Sequence, residues 1–249
     1  MKPNSPHWQH VFGWLDLEAA FFTCAYAAEF LGEGLVFNSL EIGVHHGKYF
    51  LVLEQLTPPD GDCWAVDVFS RQDLNVDHSG RGNQRIFLQH VADFAKHPQR
   101  VKSLELDSLD LDPARLGRHQ FGLISIDGGH TATHTINDLQ VGQELLGPYG
   151  MLILDDILNQ DWLGVVSGAT SFFSSPLARR LVPFAIGFNK LFCCHFSHSD
   201  AVLARLEADP SVLARYNLRI RKRTSFCGFP MLSLGVLDLE RDSSVLPSS

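Results

Sequence analysis

Leu40-Glu41-Ile42-Gly43-Val44-His45-His46-Gly47 reads as a short apolar strand that runs into a glycine turn. Two glycines four residues apart let the backbone bend sharply and approach a ligand closely. A helical stretch around 47–56 follows, then a second strand, Cys63-Trp64-Ala65-Val66-Asp67. Strand, turn, helix and strand in that order predict a parallel sheet with crossover helices.

The alternation extends outward in both directions. Residues 16–31 predict a helix packed on the domain, and the polar, Gly-bearing stretch 69–82 predicts a loop. Residues 83–97 predict a helix, because Ile86, Phe87, Val91 and Phe94 recur at helical spacing. Strands are expected at 101–106, 121–126 and 151–154; the middle one is apolar throughout, as a strand buried on both faces should be. Helices are expected at 133–146 and 161–174. Segments 181–186 and 191–196 flank Gly187-Phe188-Asn189-Lys190 as a hairpin. The expected fold is α/β and doubly wound: a mostly parallel, seven-stranded, Rossmann-like sheet with an antiparallel edge hairpin. The expected organisation is a helical segment (1–34), a core (35–196) and a C-terminal extension with a flexible tail (197–249).

Composition narrows the function. With 45% apolar and 19% charged residues the chain is neither disordered nor a coiled coil. A formal charge of −8 argues against a nucleic-acid surface. The basic cluster Arg219, Arg221, Lys222 and Arg223 reads as a solvated strand or loop. Five scattered cysteines form no metal-spaced pair, so buried free thiols in a reducing compartment are expected. The apolar stretch 19–28 is too short to span a bilayer and follows Asp16 and Glu18. These features predict a cytoplasmic protein without membrane partners, and a homo-oligomer is compatible with them.

In such sheets ligands bind beyond the carboxyl ends of the strands, at the switch in strand order. Glu41, Asp67, Asp107, Asp127, Asp155 and Asp156 all stand at or near predicted strand ends. Asp67 is placed to accept both hydrogen bonds of a ribose diol, and Asp107-Ser108 to lie near an adenine. The turn is not the dinucleotide G-x-G-x-x-G, which removes the main support for a nicotinamide oxidoreductase. Asp127-Gly128-Gly129-His130 sets an imidazole three residues beyond a carboxylate, and Leu154-Asp155-Asp156 sets two carboxylates at the next strand end. Three acids on one rim repel each other unless a hard divalent cation, such as magnesium or manganese, sits among them. The competing reading is that Asp155 and Asp156 cap the next helix and His130 orders a loop. Trp14, Trp162, Phe172 and Phe173 could line an acceptor pocket or belong to the core.

Together, 40–47, Asp67, Asp107-Ser108 and Ile126-Asp127 resemble the successive cofactor motifs of class I S-adenosylmethionine-dependent methyltransferases. The resemblance implies that Gly43 and Gly47 pack against the methionine part of the cofactor and that Asp67 holds the ribose. It extends the cofactor set to Glu41, Asp107, Ser108 and Asp127. Ile126 to His130, Asp138-Leu139, Gly147-Pro148-Tyr149-Gly150, Asp155-Asp156, Pro183-Phe184 and Asn189-Lys190 resemble a narrower group. That group comprises the magnesium-dependent macrolide sugar O-methyltransferases and the proteins named for cephalosporin hydroxylation. This second resemblance implies Mg2+ (or Mn2+) at Asp127, Asp155 and Asp156, with His130 as the base acting on a small-molecule hydroxyl. The alternatives are a metal-independent methyltransferase, a nucleotide-dependent oxidoreductase, or a non-catalytic cofactor-binding protein.

Overall fold

The computed structural model describes residues 10–118 and 120–238. The expected flexible tail, near 243–249, and the first nine residues of the N-terminal segment lie outside the described residues.

Helix α1 (Leu17–Phe30) precedes strand β1 (Asn38–Ile42), helix α2 (Lys48–Leu56), strand β2 (Cys63–Asp67), helix α3 (Gln84–Phe94) and strand β3 (Val101–Glu105). The chain then returns to β4 (Phe121–Ile126), α4 (Ala132–Leu145), β5 (Leu146–Leu154) and α5 (Leu163–Phe173). Strands β6 (Leu181–Gly187) and β7 (Lys190–His195) form the expected antiparallel hairpin. Beyond it lie α6 (Ser199–Ala208), α7 (Ser211–Ala214), β8 (Leu218–Phe226) and β9 (Phe229–Val236).

The strand order is β3-β2-β1-β4-β5-β7-β6-β9-β8. Strands β1 to β5 pair in parallel, and β7 joins β5 antiparallel. The sheet therefore has nine strands, not the expected seven. The extra pair is a hairpin whose two-residue loop, Cys227-Gly228, takes φ +49° and +85°, as a tight primed turn requires. Strand β9 then pairs in parallel with β6 at Ala185 and Ile186. The basic residues 221–223 are exposed on β8 and interrupt the alternation that marks a half-buried strand.

Alternate residues of each strand face the two sides of the sheet. Leu123, Met151, Ile153, Phe192 and Cys194 join α1 and α2 in one core; Leu40, Ile42, Ile124, Leu152 and Cys193 join α4 and α5 in the other. Strand β4 is buried along its whole length. Helix α1 inserts Phe22 against Phe184 and Phe192, and the Tyr26 hydroxyl donates to the carbonyls of Tyr149 and Gly150. In α3 only Phe87 and Val91 are buried, and Ile86 faces solvent. The strand order reverses between β1 and β4, so their carboxyl ends open a crevice there.

Candidate active site

A cavity of about 540 Å³ occupies that crevice. Its walls come from the β1, β2, β4 and β5 ends, the 69–82 loop and residues 14–16. Gly43 takes φ +82°, and a Cβ there would lie 1.8 Å from the Asp127 carbonyl oxygen. Gly47, at φ +91°, starts α2 with its Cα side against the Phe87 ring. Both glycines are thus required by close packing of the protein itself.

Asp67 organises the turn. Its Oδ2 accepts from the amides of Val44 (2.6 Å) and His45 (2.7 Å), and its Oδ1 from the amide of Phe69. Burial raises the Asp67 carboxyl, and the three amides oppose that. A carboxylate offers about four lone-pair sites. Three are taken, so this arrangement leaves one for a ribose hydroxyl rather than the expected two.

Asp107 lines the cavity, caps a short turn through the Leu109 amide and lies 3.2 Å from His134 Nε2. Ser108 beside it is buried on the same wall. Glu41 is placed differently from the expectation. Strand alternation sends it to the opposite face of β1 from Ile42, and the cavity is lined by Ile42 and Gly43 without it. Glu41 is 2% exposed, its Oε2 has no hydrogen-bond partner, and burial pushes its carboxyl well above the usual range.

The three acids expected to share a cation separate into two sets. Asp155 is ion-paired with the buried Lys190, whose ammonium also lies 5.3 Å from the Tyr49 ring. Asp156 takes φ +58°, a left-handed conformation that aspartate tolerates better than most residues. Its Oδ1 accepts from Asn159 (2.9 Å) and Asn189 (2.7 Å), and its Oδ2 lies 3.1 Å from His130 Nε2. Asp127 Oδ1 is 3.7 Å from the same nitrogen. Ligand atoms of Asp127, His130 and Asp156 all fall within 4.8 Å of one another. The convergent trio is therefore two carboxylates and an imidazole, with Asp155 held aside by Lys190.

His130 is enclosed. Asp77 Oδ2 accepts from its backbone amide and its Nδ1, both at 2.7 Å, and Trp162 stacks on the ring at 4.4 Å and 16°. Burial would lower the imidazole, but hydrogen bonds to Asp127, Asp156 and Asp77 raise it to about 11. Without a cation the three carboxylates favour the charged imidazole; the neutral base expected from the sequence depends on a cation beside the ring. Burial and then the charge of Asp155 push Asp127 up to about 7, against the pull of His130 and Lys190.

Of the four aromatic residues, Phe172 and Phe173 are core, at 0% and 4% exposure, whereas Trp14 and Trp162 line the cavity. Sequence reading gave no role to Asp77, Asn159, Asn189 or Lys190. Asn189-Lys190 stood in the quoted hairpin turn and in the resemblance to the narrower group, but neither reading made them partners of the acids.

Residues 40–157 match the model of a methyltransferase-domain family. A Klebsiella pneumoniae structure, provisionally an O-methyltransferase, is 16% identical and covers 77% of this chain and 90% of that one, with a TM-score of 0.56. Cofactor-bound Rv0187 from MTB is 15% identical over 75% of this chain and 84% of that one, also at 0.56. CalS11, a TDP-rhamnose 3′-O-methyltransferase of calicheamicin biosynthesis, is 16% identical over 73% and 79%, at 0.50. At these identities the likeness establishes the fold. No curated protein sequence matches the chain. No helix among the described residues is long and apolar enough to cross a membrane.

Proposed function

We propose that the chain, whose residues 40–157 match a methyltransferase-domain family, is a class I S-adenosylmethionine-dependent methyltransferase that methylates a hydroxyl of a small molecule beside a divalent cation. The observation that carries this reading is the convergence of Asp127, Asp156 and His130 at the rim of the cavity, next to the glycine turn. The two carboxylates are hard oxygen ligands that suit magnesium or manganese, and the imidazole beside them is left for proton transfer. Asp127 and Asp156 would hold the ion. Its charge would lower the pKa of an acceptor hydroxyl and weaken the hold of His130 on its own proton.

The protein's own groups then divide the work. Asp67 holds the 43–47 turn in shape for the methionine end of the cofactor, and Asp107 and Ser108 form the wall for its adenine. Asn159 and Asn189 orient Asp156. His130 Nε2 takes the acceptor proton, since Nδ1 is committed to Asp77. Trp162 covers the ring and excludes water. General-base assistance of this kind contributes roughly 10²–10⁴-fold.

A second reading is favoured by one observation: Lys190 and the His130 imidazolium already supply two internal cations among the acids. On that reading the chain is a metal-independent methyltransferase with structural aspartates. Calorimetry with S-adenosylhomocysteine tests the shared premise. Micromolar binding, with no heat from NAD, is expected; NAD binding in its place would restore the oxidoreductase reading. Methyl transfer that a chelator leaves untouched would favour the second reading.

A further inference from the structure

The 69–82 loop contains no helix or strand, yet it is braced. Gln72 Nε2 donates to the Phe69 carbonyl, and Asn75 Nδ2 to the Ser79 carbonyl at 2.8 Å. Leu74, Asn75, Val76 and Asp77 form one wall of the cavity. Asp77 reaches from this wall to the far side. One of its oxygens, Oδ2, takes both the backbone N–H and the ring nitrogen of His130, while Oδ1 takes the Ser79 amide at 2.9 Å. The two side chains are 9% and 10% exposed, although 53 residues separate them.

This geometry has one consequence for the imidazole. A carboxylate at Nδ1 fixes the hydrogen on that nitrogen and sets the ring plane, as buried carboxylates do for functional histidines. The other nitrogen, Nε2, is thereby aimed at Asp156 and Asp127. The stacked Trp162 blocks rotation out of that plane. The loop therefore brings the group that orients the ring, and it does so only while folded over the cavity.

We infer that Asp77 is a positioning residue for His130, and that closure of the 69–82 loop over the cavity assembles the base by latching Asp77 onto it. The inference rests on the reading of His130 as base, but its latch is measurable without methyl transfer. Arg71 and Arg81 are exposed in the loop and offer tryptic sites. Cleavage there reports how often the loop opens. Asp77→Ala should speed cleavage roughly tenfold or more, the expected effect of losing hydrogen bonds to a charged group. The same variant should abolish a slowly exchanging imidazole N–H proton resonance, assigned to His130 by its absence in His130→Gln. Asp77→Asn keeps an acceptor oxygen at the same reach and should retain the resonance and most of the protection. Should Asp77→Ala fold poorly, Asp77→Ser, too short to span to the ring, serves the same comparison. An unchanged cleavage rate, or a resonance that persists in Asp77→Ala, overturns the inference. Failure of the methyltransferase reading would show separately, as no binding of S-adenosylhomocysteine by the unmodified chain.

Discussion

Lys190 and Asp155 form a buried ion pair on the floor of the site, with side chains 3% and 16% exposed. The pair decides which acids are left to meet a cation. Asp155 is already compensated, so Asp127 and Asp156 remain, with His130 between them.

Lys190→Met should therefore destabilise the metal-free protein. Removing one partner of a buried ion pair leaves the other charge uncompensated, at a cost of about 3–5 kcal/mol. Thermal melting should show the drop, and magnesium should recover part of it, since Asp155 becomes free to join the ion. A variant that melts like the unmodified chain would mean that the pair contributes nothing to stability.

The His130 imidazolium makes a pH prediction. Its folded-state pKa, about 11, is raised above the ordinary histidine value. Its contribution to stability is thus fully present below about 6.5. It is lost as pH rises from there through about 11. The stability gap between the unmodified chain and His130→Gln should narrow between pH 7 and 10 in the absence of metal, as read from denaturant midpoints. A constant gap would show that the ring is neutral throughout.

Asp127 has the opposite sign. Its carboxyl is raised to about 7, so ionising it costs stability. That cost is absent below about pH 4 and develops as pH rises through 7. Asp127→Asn should raise the metal-free melting temperature at pH 8 and leave it nearly unchanged at pH 4.5, while removing any response to magnesium. Equal shifts at both values would assign the effect to packing instead of charge.

The sequence made the parts of the site that lie along single strands legible. The apolar run before Gly43, the acid ending β2 and the acids ending β4 and β5 each carry a local signal, and their order fixes the switch point. Of the partners that arrive from elsewhere, Asp77 carries none, and Lys190 is marked only by the resemblance of Asn189-Lys190 to the narrower group. Asp77 sits in a polar loop 53 residues before His130, and Lys190 lies 35 residues after Asp155. Only the folded sheet brings either pair together. Glu41 shows a different limit: its place at a strand end was legible, but strand alternation turns it beneath the sheet. The final hairpin was missed because residues 221–223 present an unbroken basic run on β8.

Stability away from the site depends on a second buried pair. Arg100 and Glu54 are 6% and 0% exposed and meet at 2.8 Å, and the Lys96 and His97 amides complete the Glu54 carboxylate. Glu54→Ala should cost about 3–5 kcal/mol, seen as a lower melting temperature with S-adenosylhomocysteine affinity retained at low temperature. A loss of affinity without a loss of stability would contradict this purely structural role.

The central claim, a divalent cation held by Asp127 and Asp156 beside the cofactor, is tested most directly by calorimetric titration of magnesium into the chain saturated with S-adenosylhomocysteine. The account predicts one ion per chain, with binding lost in Asp127→Asn and in Asp156→Asn while S-adenosylhomocysteine still binds to both. Absence of magnesium binding by the unmodified chain, or binding that survives both substitutions, would contradict it.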